Sequence, residues 1–388
     1  MKIFQNALFI GLLAVSFSNY AQNSDSLKHT PVQITFAYPV ASNGTQSINH
    51  SNNFSLNILY GVNGGLTGLE LGGLVNILDG DMVGCQIGGL SNVNQGFTKG
   101  LQLAGIYNLN QKEVTGSQIG GIANLTNSSL TGFQLSGISN IARGKVNGAQ
   151  LSGISNIVTG TSKGAQISGG HNLSTDTVTG TQISGINNTA STGMNGFQLS
   201  LTNYAKELNG FQLGLINIAD SSNGVSIGLI NLIKNGYHSV EIFGNEVLYT
   251  GVAVKSGTKE FYNIYTVGFQ PNNPTIFGFG LGFGSKFNIS KKLSVSADLT
   301  ANYINELEDF DWKLNLLNRL DLTLDYHFND NFSVLAGPAF NVHVSELGYE
   351  NTGGFTTDIA VNPFYTEMVN NAQVQMWVGG KLGVRYSF

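Results

Sequence analysis

The 388-residue chain has little charge, a single cysteine and few histidines. Only 11% of its residues are Asp, Glu, Lys or Arg, against roughly 25% in an average soluble domain, which points away from a cytosolic enzyme. The lone cysteine, Cys85, excludes a disulfide framework and any multi-cysteine metal centre. A formal charge of −5 with no basic cluster leaves no footprint for nucleic acid. The six histidines are scattered without metal-ligand spacing. The glycine-rich run at 278–284 alternates as a strand and opens no helix, so it is not a phosphate loop. Glu306, Glu308, Asp309 and Asp311 read as a hydrated acidic loop rather than a cation site. With no nucleophile–base constellation, the expectation is a protein that is not an enzyme, with no catalytic, cofactor-binding or metal residues.

Long apolar runs are also missing. The longest, Ala7–Phe17, is too short to span a bilayer as a helix; with Lys2 before it and Asn19-Tyr20-Ala21 after it, it reads as a signal peptide over residues 1–21. No later stretch nears ~18 uninterrupted apolar residues, so no membrane helix is expected. The mature chain is expected to be exported.

Abundance lies elsewhere: 51 glycines and 45 asparagines, both poor in helix interiors and favoured in turns, argue for an all-β fold. After an N-terminal segment, 22–53, with one candidate strand, residues 54–236 hold tandem repeats. Units of 16 begin at Leu69, Cys85, Leu101, Ser117, Phe133, Ala149, Ala165 and Thr181; units of 14 follow from Phe197 and Phe211, and a partial one from Val225. The second column is Gln from Gln86 to Gln212, with Glu70 and Ser226 at the ends. The third is Leu or Ile throughout, the fifth of the longer units is Gly, Asn recurs from Asn76 to Asn231, and complete units close on Gly.

A fixed period with column-specific chemistry favours a β-solenoid, in which equivalent residues stack on their copies. Strands of about seven residues, an interior of stacked Leu and Ile, and ladders of Asn and Gln amides are then expected. Ten or eleven coils at about 4.8 Å each would make a rod on the order of 50 Å long. The alternative is that each unit supplies one strand to an antiparallel barrel wall. In the solenoid reading the variable seventh column, with Tyr107, His171 and Asn187 among its members, points outward and is a candidate for binding specificity. Gly170, replacing Leu or Ile in the sixth column, predicts a local packing defect.

From Tyr237 the pattern changes to long two-residue alternation. Leu320, Leu322, Leu324, Tyr326 and Phe328 oppose Arg319, Asp321, Thr323, Asp325 and His327; Phe277 to Phe283 alternate with glycines; and 374–388 alternate to the last residue. Apolar-out, polar-in strands of this length, with short turns at Ser290-Lys291-Lys292 and Asn329-Asp330-Asn331 and longer loops at 304–315 and 345–372, suit a C-terminal antiparallel β-barrel of the outer-membrane type over 237–388. Eight strands are expected at 238–244, 247–254, 261–269, 276–289, 292–303, 316–328, 332–344 and 374–388. An alternative count takes Val32–Tyr38 as the first strand and drops 238–244, which moves the repeats to the opposite side of the membrane.

The ending Val384-Arg385-Tyr386-Ser387-Phe388 resembles the insertion signal of Gram-negative outer-membrane β-barrel proteins, with Val384, Tyr386 and Phe388 as its apolar members. The Gly-x-Gln-Leu-x-Gly-Ile-x-Asn units resemble those of surface-repeat proteins of the same bacteria. The resemblances imply delivery to the outer membrane by the barrel assembly machinery, outer-membrane lipid as a partner and an unidentified surface ligand. The expected role is structural or surface interaction by a barrel-anchored repeat module; the alternative is a porin-like channel whose wall includes the repeat strands.

Overall fold

A computed structural model describes residues 27–271, 275–306, 313–347 and 359–388. The expected signal peptide and most of the acidic loop lie outside the described residues. What is described is nearly all strand: a parallel β-solenoid of about eleven turns followed by a closed eight-strand antiparallel barrel.

Each 16-residue coil of the solenoid contributes two strands. Val114–Gly120 and Ala123–Thr126 form one coil; Leu130–Ser136 and Ser139–Ala142 form the next. Partners lie sixteen residues apart without slippage, Gln118 opposite Gln134 and Asn124 opposite Asn140. In the shorter units Gln198 pairs with Gln212, fourteen apart. The closing glycine makes the close stacking of coils possible: Gly132, inside the strand Leu130–Ser136, has φ +133°, and a Cβ there would stand 2.0 Å from the Gly116 carbonyl of the coil before. No residue with a side chain fits that approach.

The candidate strand near the N-terminus belongs to this stack. Lys28–Ala37 pairs in parallel with His50–Asn63, Val32 opposite Phe54 and Ile34 opposite Leu56. The count that made Val32–Tyr38 a barrel strand is thereby corrected, and so is the wall-strand arrangement of the repeats, since their sheet is parallel and separate from the barrel.

The solenoid is packed the other way round from the expected stack of Leu and Ile. The second-column Gln and eighth-column Asn side chains are fully buried, while Leu and Ile of the third and sixth columns face outward, as at Leu135 and Ile138. Alternation within the strand explains this: with Gln134 pointing in, its neighbours Phe133 and Leu135 must point out. Apolar interior packing is left to the opposite half of the coil, where Val114, Leu130, Ala142, Val146 and Val158 cluster. Gly170 therefore leaves a notch in an outer row and not a hole in the core.

The barrel strands are Tyr237–Asn245, Thr250–Gly257, Tyr262–Gln270, Ile276–Asn288, Leu293–Asn305, Asn315–His327, Phe332–Ser345 and Ala372–Ser387. Pairing of Ser239–Asn245 with Ser387–Lys381 closes the cylinder. A further short strand, Tyr365–Val369, folds back on the start of the eighth. Turns of four residues connect the strands at 258–261, 289–292 and 328–331 at the end where the chain enters; the other end has a four-residue connection at 246–249, one of five at 271–275 and the two longest, 306–314 and 346–371. The solenoid thus joins the barrel at its short-turn end.

Candidate functional site

Two interiors, one in the solenoid and one in the barrel, hold the buried polar chemistry of the molecule. Inside the solenoid, the Asn ladder runs from Asn57, which donates to Asn76 at 2.9 Å, through Asn108 and Asn124 (2.8 Å) and Asn217 and Asn231 (2.8 Å). From Asn76 to Asn217 each Nδ2 also reaches a backbone carbonyl of the next coil, as Asn124 does to Leu135 at 2.8 Å, so these amides donate twice. The Gln ladder donates in the opposite sense: Gln134 to Gln118 (2.7 Å), Gln102 to Gln86 (2.8 Å), and Gln86 to Glu70 (2.8 Å). Opposed amide dipoles offset one another along the rod.

Glu70 ends the Gln ladder as an acceptor. Its carboxylate takes hydrogen bonds from Asn57 (2.8 Å), Asn63 (2.6 Å) and Gln86, and it is fully buried. Burial pushes its pKa above the ordinary carboxylate value, with the amide donors opposing. An ionised oxygen accepts without having to donate, which is what the last position of a one-way ladder requires.

The barrel interior is filled. Glu241 takes Lys255 (3.0 Å), Lys381 (2.6 Å) and Arg385 (2.9 Å). Asp325 pairs with Lys286 (3.1 Å) and Arg385, and Arg319 bridges Asp321 (2.7 Å) to Glu246 (2.7 Å). Glu246 enters from the turn after the first strand and also accepts from Trp377 Nε1 at 3.1 Å. Trp377 and Tyr262 are fully buried beside these ions. His343 is buried on Asn315 (2.6 Å) and His327 meets Ser294 (2.8 Å). Among the described residues no group of three or more His, Cys, Asp or Glu is placed to hold a metal.

The outer surface of the barrel is apolar. On the barrel, Ile242, Val267, Phe279, Leu281 and Leu382 are 45% to 67% exposed, and the residues expected to form an insertion signal are on this face: Val384 at 50%, Tyr386 at 42% and Phe388 at 66%. Tyr386 packs against Phe332 on the neighbouring strand, ring centres 4.9 Å apart. In the seventh column of the solenoid Tyr107, His171 and Asn187 are half-buried, while Ser91 and Ser155 are covered. Burial lowers the pKa of His171, which keeps it uncharged, and raises that of Cys85, which keeps it a thiol. Neither is set up as a reactive group.

The cross-strand ion partners were missed in the sequence. Arg319, Asp321 and Asp325 stand on the polar face of a 13-residue strand, but Glu241 and Lys255 lie on the first two strands, of nine and eight residues, which offer fewer alternating positions to read. No known protein family, curated protein or solved structure matches the chain.

Proposed function

We propose that this is a non-enzymatic outer-membrane protein whose eight-strand barrel anchors the solenoid in a structural or interaction role. The observation that carries the reading is the barrel's inverted distribution: ion pairs and amides inside, exposed Val, Leu, Ile and Phe outside. Such a surface is costly in water and stable in hydrocarbon. Short turns face the periplasm in bacterial barrels of this type, so the solenoid sits on the periplasmic side in this reading. That differs from a cell-surface display of the repeats, and it makes the interaction one with periplasmic components or the membrane itself. The filled interior supports a role without solute passage.

Gel mobility of the full chain refolded in detergent, boiled and unboiled, tests the reading. A fast-migrating unboiled band that moves to the unfolded position on heating is expected. A chain that migrates identically in both conditions, and that does not partition into vesicles, overturns it.

A further inference from the structure

The solenoid is amphipathic along its whole length. Every charged side chain of residues 69–233 other than the buried Glu70 falls between the eleventh and fifteenth columns, or at the matching place of the shorter units: Lys112, Glu113, Arg143, Lys145, Asp176 and Lys206 are examples. The opposite edge, columns three to nine, carries no exposed charge. Its sixth column presents one Leu or Ile per coil from Leu74 to Leu229, 37% to 62% exposed, with Gly170 as the single exception. An uncovered apolar stripe of about 50 Å exceeds what a monomeric surface ordinarily leaves open to water.

The join to the barrel fixes where this edge points. At the short-turn rim His238 Nε2 bonds the Ile233 carbonyl (2.6 Å) and Ser256 bonds the Asn231 carbonyl (2.8 Å). Asn263, the cross-strand partner of Ser256, reaches the Gly228 carbonyl through Nδ2 (2.7 Å), and two residues farther up the outer wall the Tyr265 hydroxyl reaches the Leu229 carbonyl (2.7 Å). The last coil therefore stands against the outside of the wall with its charged edge toward the rim and its apolar edge toward the middle of the hydrophobic band. Between them is a cleft of about 330 Å³, lined by Leu229, Tyr265, Leu281, Phe283 and Leu299. The sixth-column stripe and the barrel's outer face form one continuous apolar surface through this cleft.

We propose that the solenoid lies flat along the inner face of the bilayer with its sixth-column edge embedded in the lipid, so that the membrane leaflet is the ligand of the repeats. The inference rests on the barrel being in a membrane, because the same lipid that covers Leu281 and Phe283 would extend over Leu229 and on along the stripe. Charge on the far edge keeps that side in water, as in other surface-lying amphipathic elements, whose apolar faces enter about 5–10 Å. A second copy packed edge to edge is the competing occupant, but it would not be continuous with the lipid-facing wall.

The test uses the full chain in phosphatidylethanolamine/phosphatidylglycerol vesicles, with Cys85→Ser as background and one fluorescent label at a time. Labels are placed at Ile138→Cys and Ile154→Cys on the apolar edge, Arg143→Cys on the charged edge and Phe279→Cys on the barrel wall. Quenching by spin-labelled lipid several-fold stronger at 138 and 154 than at 143, and comparable to 279, is the expected result. Strong quenching at 279 with none at 138 and 154 overturns the inference and leaves the barrel reading standing. A blue-shifted but unquenched label at 138 assigns the edge to protein instead, and also overturns it. Absence of quenching at 279 overturns both readings.

Discussion

Asn231, in the last coil of the solenoid, donates its side-chain amide to Asn263 on the outer face of the third barrel strand, 2.6 Å away. The Asn ladder therefore terminates on the barrel, and the two parts share one hydrogen-bond chain. Replacing Asn263 by Ala leaves the Asn231 amide without its acceptor and the Gly228 carbonyl without its donor. Each orphaned group costs about 1–3 kcal/mol. The expected outcome is faster amide hydrogen exchange over residues 216–233 with the barrel's gel shift unchanged; unaltered exchange there would show that the ladder does not couple the parts.

Glu70 gives the solenoid a pH dependence with a definite sign. Its folded pKa is raised above 4.5 by burial, so the folded state holds the proton more tightly than the unfolded chain. Stability is then highest below about pH 4.5, falls as pH rises through the interval up to the folded pKa, and is flat above it. One proton sets the limit of about 1.4 kcal/mol per pH unit. Urea unfolding of the N-terminal coils across this interval should show the slope, and Glu70→Gln should abolish it. A slope that survives in Glu70→Gln assigns it to another group.

In the barrel, Glu241 is shared by Lys255, Lys381 and Arg385, all of them buried. Glu241→Gln keeps the shape and removes the charge that three cations face. Breaking one side of a buried ion network costs roughly 3–5 kcal/mol. The temperature at which the unboiled band converts to the unfolded position should drop clearly, whereas Lys291→Gln in an exposed turn should leave it in place. Equal conversion temperatures would mean that the network adds nothing to the barrel.

The period of the repeat and the spans of the barrel strands were legible because both are written in spacing. Gln86, Gln102 and Gln118 recur every sixteen residues and stack in that register; Leu320 to Phe328 alternate and lie on one face of a strand. The direction of the solenoid's faces was not legible. Alternation at Gln134 and Leu135 says that the two point to opposite sides, but not which side is inside, and ordinary hydrophobic burial favours Leu135. The amides win the interior because each can bond its copy above and below, a saturation that exists only once the coils are stacked. The short second strand of each coil, such as Ser139–Ala142, was hidden in what looked like turn sequence. The junction was out of reach for another reason: Asn263 touches Asn231 across 32 residues, a proximity set by how the barrel closes.

That inversion of inside and outside makes the sharpest contrast between substitutions. Asn140 accepts from Asn124 (2.9 Å) and donates to Asn156 (3.0 Å) and to the Leu151 carbonyl (2.7 Å). Asn140→Leu, a change that adds hydrophobic bulk, removes all three bonds and leaves their partners buried, at about 1–3 kcal/mol for each group left unsatisfied. Ile138→Ser, two residues away, removes an exposed side chain whose backbone pairing is untouched, and surface changes of that kind ordinarily stay within about 0.5 kcal/mol. Urea midpoints of the detergent-solubilised protein should therefore fall for the polar-to-apolar change and hold for the apolar-to-polar one. The reverse order would place the isoleucines inside, and with them the interior that a reading of hydrophobicity alone would choose.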